Sequence, residues 1–162
     1  MLREYVGKHP EWMHIVASDV LAEATRQNAE ALRTAGRGRI ESNQRLVVRK
    51  IEAVRARHPS CNVALDAHCV IDNGQELVRV PVAAIKGLQP ASLICIWDEA
   101  IRIHKRRLLE ANKIRPERSA QQLDEYQRAV ILTCEEYSES LGLDLTCVRA
   151  GDADALAKAL PN

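Results

Sequence analysis

Asp66-Ala67-His68 directly follows the apolar run Val63-Ala64-Leu65. A carboxylate delivered at the end of a buried strand can hold magnesium through water or orient a phosphate-bearing substrate. The same placement suits plain loop capping. His68 alone suits a turn, and only its nearness to Asp66 makes it a candidate. A second group is basic: His104-Lys105-Arg106-Arg107, then Lys113, Arg115 and Arg118. The planar fork of arginine matches phosphate oxygens, so this stretch could clamp a polyphosphate. The alternative is a solvated helix face with Glu110, Glu117 and Asp124 as partners. In a third group, Arg33, Arg37 and Arg39 are interleaved with Gly36 and Gly38. Such a segment reads as a loop cradling a monophosphate or as an ordinary surface loop.

Several motifs are missing. G-x-x-x-x-G-K-[S/T] occurs nowhere, and Gly36-Arg37-Gly38 is too short to stand for it. There is no H-E-x-x-H, no zinc-ligand spacing and no G-x-S-x-G. Hydrolysis by an activated protein nucleophile therefore has no support.

The candidate residues need elements to position them. Arg3 to Val6 reads as a helix stub, and Met13 to Ala17 as a short strand. Ser18-Asp19 offers an N-cap to a helix from Val20 to Leu32. Thr34 to Arg39 reads as a loop. Ser42 to His58 is a helix with Leu46, Val47, Ile51 and Val54 at helical spacing. Asn62 to Asp66 is a strand, Asp72-Asn73-Gly74 a turn, and Val82 to Gly87 a short helix. Leu93 to Trp97 is the most apolar run. Ala100 to Asn112 is a basic helix, Ser119 to Leu141 a long one ended by Gly142, and Leu143 to Val148 a last strand before a terminal helix. This alternation predicts a three-layer α/β fold with a mostly parallel sheet and helices on both faces. Ligands in such folds bind beyond the strand carboxyl ends. That rule selects Ser18-Asp19, Asp66-Ala67-His68 and Trp97-Asp98.

Bulk composition narrows the class. The 162 residues suit one domain, spanning residues 1–162, and 46% are hydrophobic. There is no Phe, so the core must come from aliphatic side chains. A net charge of +1 argues against a dedicated nucleic-acid binder. No apolar run is long enough for a bilayer and no signal-peptide core is visible, so a cytoplasmic setting is expected. The five cysteines include no C-x-x-C pair and read as reduced and structural, with Cys95 and Cys147 as small buried hydrophobes.

Order and motifs together resemble the adenylate kinase-like P-loop kinases, especially the archaeal-type adenylate kinases, over Met13 to Val148. Val63-Ala64-Leu65-Asp66-Ala67-His68 is similar to that group's strand ending in Asp-Thr-His. Leu88-Gln89-Pro90 and Leu93-Ile94-Cys95-Ile96 match its strand entry. Ser18-Asp19-Val20-Leu21 resembles the start of its monophosphate-binding helix. Arg106-Arg107-Leu108 through Tyr126-Gln127 resembles its lid, about residues 106–127. Tyr137 and Gly142 also fall where that group has them.

The resemblance implies ATP and Mg2+ as cofactors and a nucleotide or other phosphate acceptor as substrate. It implies that Asp66 lies near the metal and phosphates, with His68 beside it. Asp19 and Arg33 would border the monophosphate pocket. Arg107, Lys113 and Arg115 would act in the lid, with Arg107, Arg115 and Arg128 meeting ATP. The departures are the absent P-loop and its strand, which is the middle of the family's sheet, Lys113 in place of a lid Arg, and Ile131 in place of another. The expectation is a truncated nucleotide kinase-like body, inactive as it stands. The alternative is a P-loop-less binding or scaffold subunit that contacts nucleotide, RNA or a protein partner. In either case, a second copy or another partner could close the sheet.

Overall fold

The structure, a computed structural model, describes residues 1–109 and 116–160. The elements run α1 (Leu2–Val6), β1 (Trp12–Val16), α2 (Ala17–Thr25), α3 (Ala29–Arg33), α4 (Arg37–Arg57) and β2 (Asn62–Asp66). There follow β3 (Val70–Asp72), β4 (Leu77–Arg79), α5 (Val82–Leu88), β5 (Ser92–Trp97) and α6 (Ala100–Leu109). The last are α7 (Ala120–Leu141), β6 (Asp144–Arg149) and α8 (Ala153–Ala159).

β1 and β2 pair in parallel from Trp12↔Asn62 to Val16↔Asp66. β5 and β6 pair in parallel from Ser92↔Asp144 to Trp97↔Arg149. The α/β class with parallel strands and helices on both faces is borne out, and the parallel strands fall into two separate pairs. Among the described residues β2 bonds only to β1, and β5 only to β6. With no strand between β2 and β5, the two pairs have no common ladder.

Packing holds the halves together instead. Trp12 and Ala64 from the first pair join Val148 from the second, with Leu156 and Leu160, in one buried cluster. Leu2, Tyr5 and Val6 of α1 pack onto it, as does Ile94 of β5. Successive strand side chains face opposite ways. Ile94 and Val148 therefore meet α1 and α8, while Cys95 turns to the other face, where α7 packs.

Three local expectations need correction. Ser18-Asp19 is not an N-cap. Val16 holds that position, and Ser18 and Asp19 lie inside the first turn of α2. The helix expected to run to Leu32 breaks at Arg26, in the left-handed region at φ 55°. Asn28 then caps a new helix, its side-chain oxygen accepting from the Ala31 N–H at 2.8 Å, because a short amide acceptor favours a cap over helix continuation. The expected Arg33–Arg39 loop is also shorter, since α4 starts at Arg37 with Gly36 before it. Ile40, Asn43, Val47 and Ile51 are its buried stripe.

A further difference is a hairpin that the sequence reading does not contain. β3 and β4 pair antiparallel around Asp72-Asn73-Gly74. Gly74 sits at φ 92°, where its N–H donates to Asp72 Oδ1 at 3.0 Å. Asn73 accepts from the Gln75 and Glu76 N–H groups. α7 follows expectation. Ser119 and Gln122 form a capping box, and Gly142 closes the helix at φ 63°.

Candidate functional site

Val16 lies opposite Asp66 in the parallel ladder, and α2 begins at the next residue. Asp66 and Asp19 are thereby carried to the same carboxyl edge of the first strand pair. Both are exposed. The Asp66 carboxylate is 56% exposed, and Nε2 of His14 stands 3.8 Å from its Oδ2. His14 comes from β1 and is mostly buried, and the sequence reading did not select it. Strand alternation carries the signal: His14 and Val16 are two positions apart, so both share one face.

His68 is exposed on the connection from β2 to β3. Arg33 ends α3 and is half-buried. Arg37 is directed to the hairpin, pairing with Glu76 and, 3.9 Å away, with Glu41. Arg39 is exposed in the first turn of α4.

The second strand pair ends on a buried carboxylate. Asp98 is 5% exposed. Its oxygens meet Arg106 Nη1 at 3.1 Å, Arg102 Nε at 3.5 Å and the Glu99 N–H at 2.9 Å. Gln127 of α7 grips the Asp98 backbone from both sides, donating to its carbonyl and accepting from its N–H. Arg106 is therefore an anchor for α6. Arg102, Arg106 and Arg118 do not use the expected partners Glu117 and Asp124, and the third, Glu110, lies outside the described residues. Arg102 and Arg106 use Asp98, and Arg118 uses Asp72. The Arg118 fork is bidentate, with Nε at 3.0 Å from Oδ2 and Nη2 at 2.9 Å from Oδ1. This pair lines a cleft of about 340 Å3 with Gly74, Leu77, Gln122 and Tyr126.

Arg107 is half-buried, and its charge is felt by the Tyr126 hydroxyl. Burial raises that hydroxyl to about 12, with Arg107 opposing the shift. The Tyr126 O–H donates to the Val70 carbonyl at 2.8 Å, tying α7 to the hairpin. Arg128 is 75% exposed on α7 and pairs with Asp124 at 2.7 Å. Lys113 and Arg115 lie outside the described residues.

A family model described as AAA domain matches residues 2–124. The chain belongs to that family. No curated protein matches it. The matched span runs from α1 through β5 and α6 into the first turns of α7. An AAA domain of this type is a P-loop NTPase-like, kinase-type fold, and the chain is nucleotide kinase-like in that superfamily sense.

Such domains generally bind ATP and Mg2+. Magnesium is ordinarily held by one or two carboxylates, with water and phosphate completing its shell. The solvent-facing Asp66 carboxylate fits that mode. Among the described residues no cluster of His, Cys, Asp or Glu could enclose a metal unaided. The polyphosphate fits less well. The backbone N–H cradle and Lys of a P-loop have no counterpart in this AAA domain's sequence. No helix among the described residues is long and apolar enough to cross a membrane.

Proposed function

We propose that the chain is the body of a nucleotide kinase whose intact form moves a phosphoryl group from ATP to a nucleoside monophosphate or similar acceptor. The observation that carries this reading is the family match over residues 2–124. The unpartnered edges of β2 and β5 agree with it. In the resembling kinases the P-loop strand lies between the two strand pairs. ATP supplies the group to be transferred, and magnesium offsets its charge. Asp66 holds the metal through water, with His68 alongside. Asp19 and Arg33 position the acceptor. Arg107 and Arg128 stabilise charge over the lid, a role that suits Lys113 and Arg115 as well. Phosphoryl transfer of this kind works by positioning and electrostatics.

A second reading is a binding or scaffold subunit that turns nothing over. The ion pairs holding Arg106 and Arg118 favour it, because those guanidinium groups already have carboxylate partners.

The test has two stages. The chain, given magnesium, ATP and a panel of monophosphates in a coupled assay, is expected to show no turnover. The reading frame upstream of Met1 is then inspected, and the longer product is assayed. An in-frame G-x-x-x-x-G-K-[S/T] with turnover of about 1–100 per second sustains the kinase. A stop codon there sustains the binding subunit. Turnover by the chain alone overturns the account of how phosphate is gripped.

A further inference from the structure

Four of the five cysteines converge, although they are far apart in sequence. Cys69, between β2 and β3, places its Sγ 3.7 Å from Cys134 Sγ on α7. Cys134 also acts on Cys95 of β5. Cys95 lies opposite Cys147 of β6 in the parallel ladder. All five cysteines are free thiols. The row runs from the exposed Cys147, through the buried Cys95, to the half-buried Cys134 and Cys69. The phosphoryl-transfer reading uses none of them.

We propose that Cys69 and Cys134 are a reversible thiol–disulfide site, oxidised by peroxides. The proposal is independent of the kinase reading. Its first support is proximity. A disulfide requires the sulfurs to close to about 2.05 Å. Here they start 3.7 Å apart. The second support is that both carriers are already fixed. Tyr126 donates to the Val70 carbonyl, next to Cys69, and Tyr137 donates to the Val80 carbonyl. Arg79 bonds both oxygens of Glu136. The hairpin is thus bound to α7 on both sides of the thiol pair, which keeps the two sulfurs near each other.

The third support is polarity along the row. The contact with Cys134 lowers the Cys69 thiol, and the same contact is the main reason that Cys134 is raised to about 12. Cys95 is raised in turn, first by its interaction with Cys134 and then by burial. The interactions along the row therefore favour the thiolate at Cys69. The thiolate is the nucleophile in such chemistry.

In the first step the Cys69 thiolate attacks one peroxide oxygen. The O–O bond breaks, leaving Cys69 sulfenic acid and hydroxide, which takes up a proton as water. The Cys134 sulfur then attacks the Cys69 sulfur. The S–O bond breaks, a second water leaves with the thiol proton, and the disulfide forms. Two thiols lose two electrons and two protons, and one hydrogen peroxide becomes two waters. The bond would tether the connection that carries Asp66 and His68 to the middle of α7.

The full chain is treated with one equivalent of hydrogen peroxide, alkylated in denaturant and cleaved before aspartate. This cleavage separates every cysteine: Cys69 falls in peptide 66–71, Cys134 in 124–143, Cys95 in 72–97 and Cys147 in 144–151. The expected product links 66–71 to 124–143, with loss of two of the five free thiols, and a thiol reductant reverses it. Cys147→Ser leaves the link intact, while Cys69→Ala and Cys134→Ala each abolish it. In Cys134→Ala, a dimedone probe is expected to label Cys69. A link from Cys95 to Cys134 or Cys147, irreversible oxidation without a link, or dimedone labelling of Cys134 in Cys69→Ala each overturns the proposal.

Discussion

Arg118→Met tests whether the basic stretch is structural at its C-terminal end. Arg118 joins the segment before α7 to the hairpin through Asp72, whose side chain is 11% exposed against 25% for Arg118. Breaking a buried ion pair costs about 3–5 kcal/mol, because a charge is stranded. Water reaches part of this pair, and the Asp72 carboxylate keeps the Gly74 N–H, so about 2 kcal/mol is expected here. Methionine retains the apolar stem, which separates lost charge from lost packing. In a chain of 162 residues this corresponds to a fall in Tm of about 6 °C. A cycle with Asp72→Asn, read by urea unfolding, is expected to give a coupling of about 1.5 kcal/mol. The exposed Arg128–Asp124 pair is the internal control, with side chains 75% and 50% exposed. Its coupling is expected to be about 0.3 kcal/mol. If the two cycles give the same value, burial does not set the worth of these arginines and the reasoning fails.

Two further outcomes follow from the same geometry. Stability is expected to fall as pH rises from 10 to about 12. Over that range the unfolded chain releases the Tyr126 proton, while burial keeps it on the native hydroxyl. In Tyr126→Phe, unfolding measured across that range is expected to show a shallower slope, and an unchanged slope rejects the assignment. The open edge of β5 carries Ile96, 44% exposed. Edges of this kind invite self-association. Sedimentation of the chain is expected to show association that grows with concentration and weakens in Ile96→Lys, and equal association by both chains counts against the edge.

Local signals were legible in the sequence, and long-range pairing was not. Asn62–Asp66 has the bounds expected of it, because an apolar run between turn residues leaves few alternatives. α7 was readable from Ser119 and Gly142, residues whose chemistry marks helix ends. The hairpin was missed since three-residue strands are too short to show alternation, although Asp72-Asn73-Gly74 marked its turn. Cys147 was expected to be buried among its apolar neighbours, yet it is exposed on β6. Its place in the thiol row depends on Cys95, which only the ladder register brings opposite.

The arginines show why composition misleads about a site. Asp98, Arg102 and Arg106 are spaced by four, so helical periodicity alone could have paired them. Asp72 and Arg118 are 46 residues apart, and only folding joins them. Before those acceptors are counted, the stretch from His104 to Arg118 reads as a polyphosphate clamp. Afterwards Arg106 and Arg118 are employed in fixing α6 to the end of β5 and the start of α7 to the hairpin. The functional candidates are therefore sharper than the raw basic run. Arg107 acts on the Tyr126 hydroxyl through its charge, and Asp66 stays open to solvent at a strand end. The same logic applies to the strands. Leu93–Trp97 has the unbroken apolar character of a strand paired on both edges and covered on both faces. In the structure β5 has one ladder partner among the described residues and Ile96 remains exposed. A sequence with the character of a central strand stands at an edge, because only folding decides which strands pair.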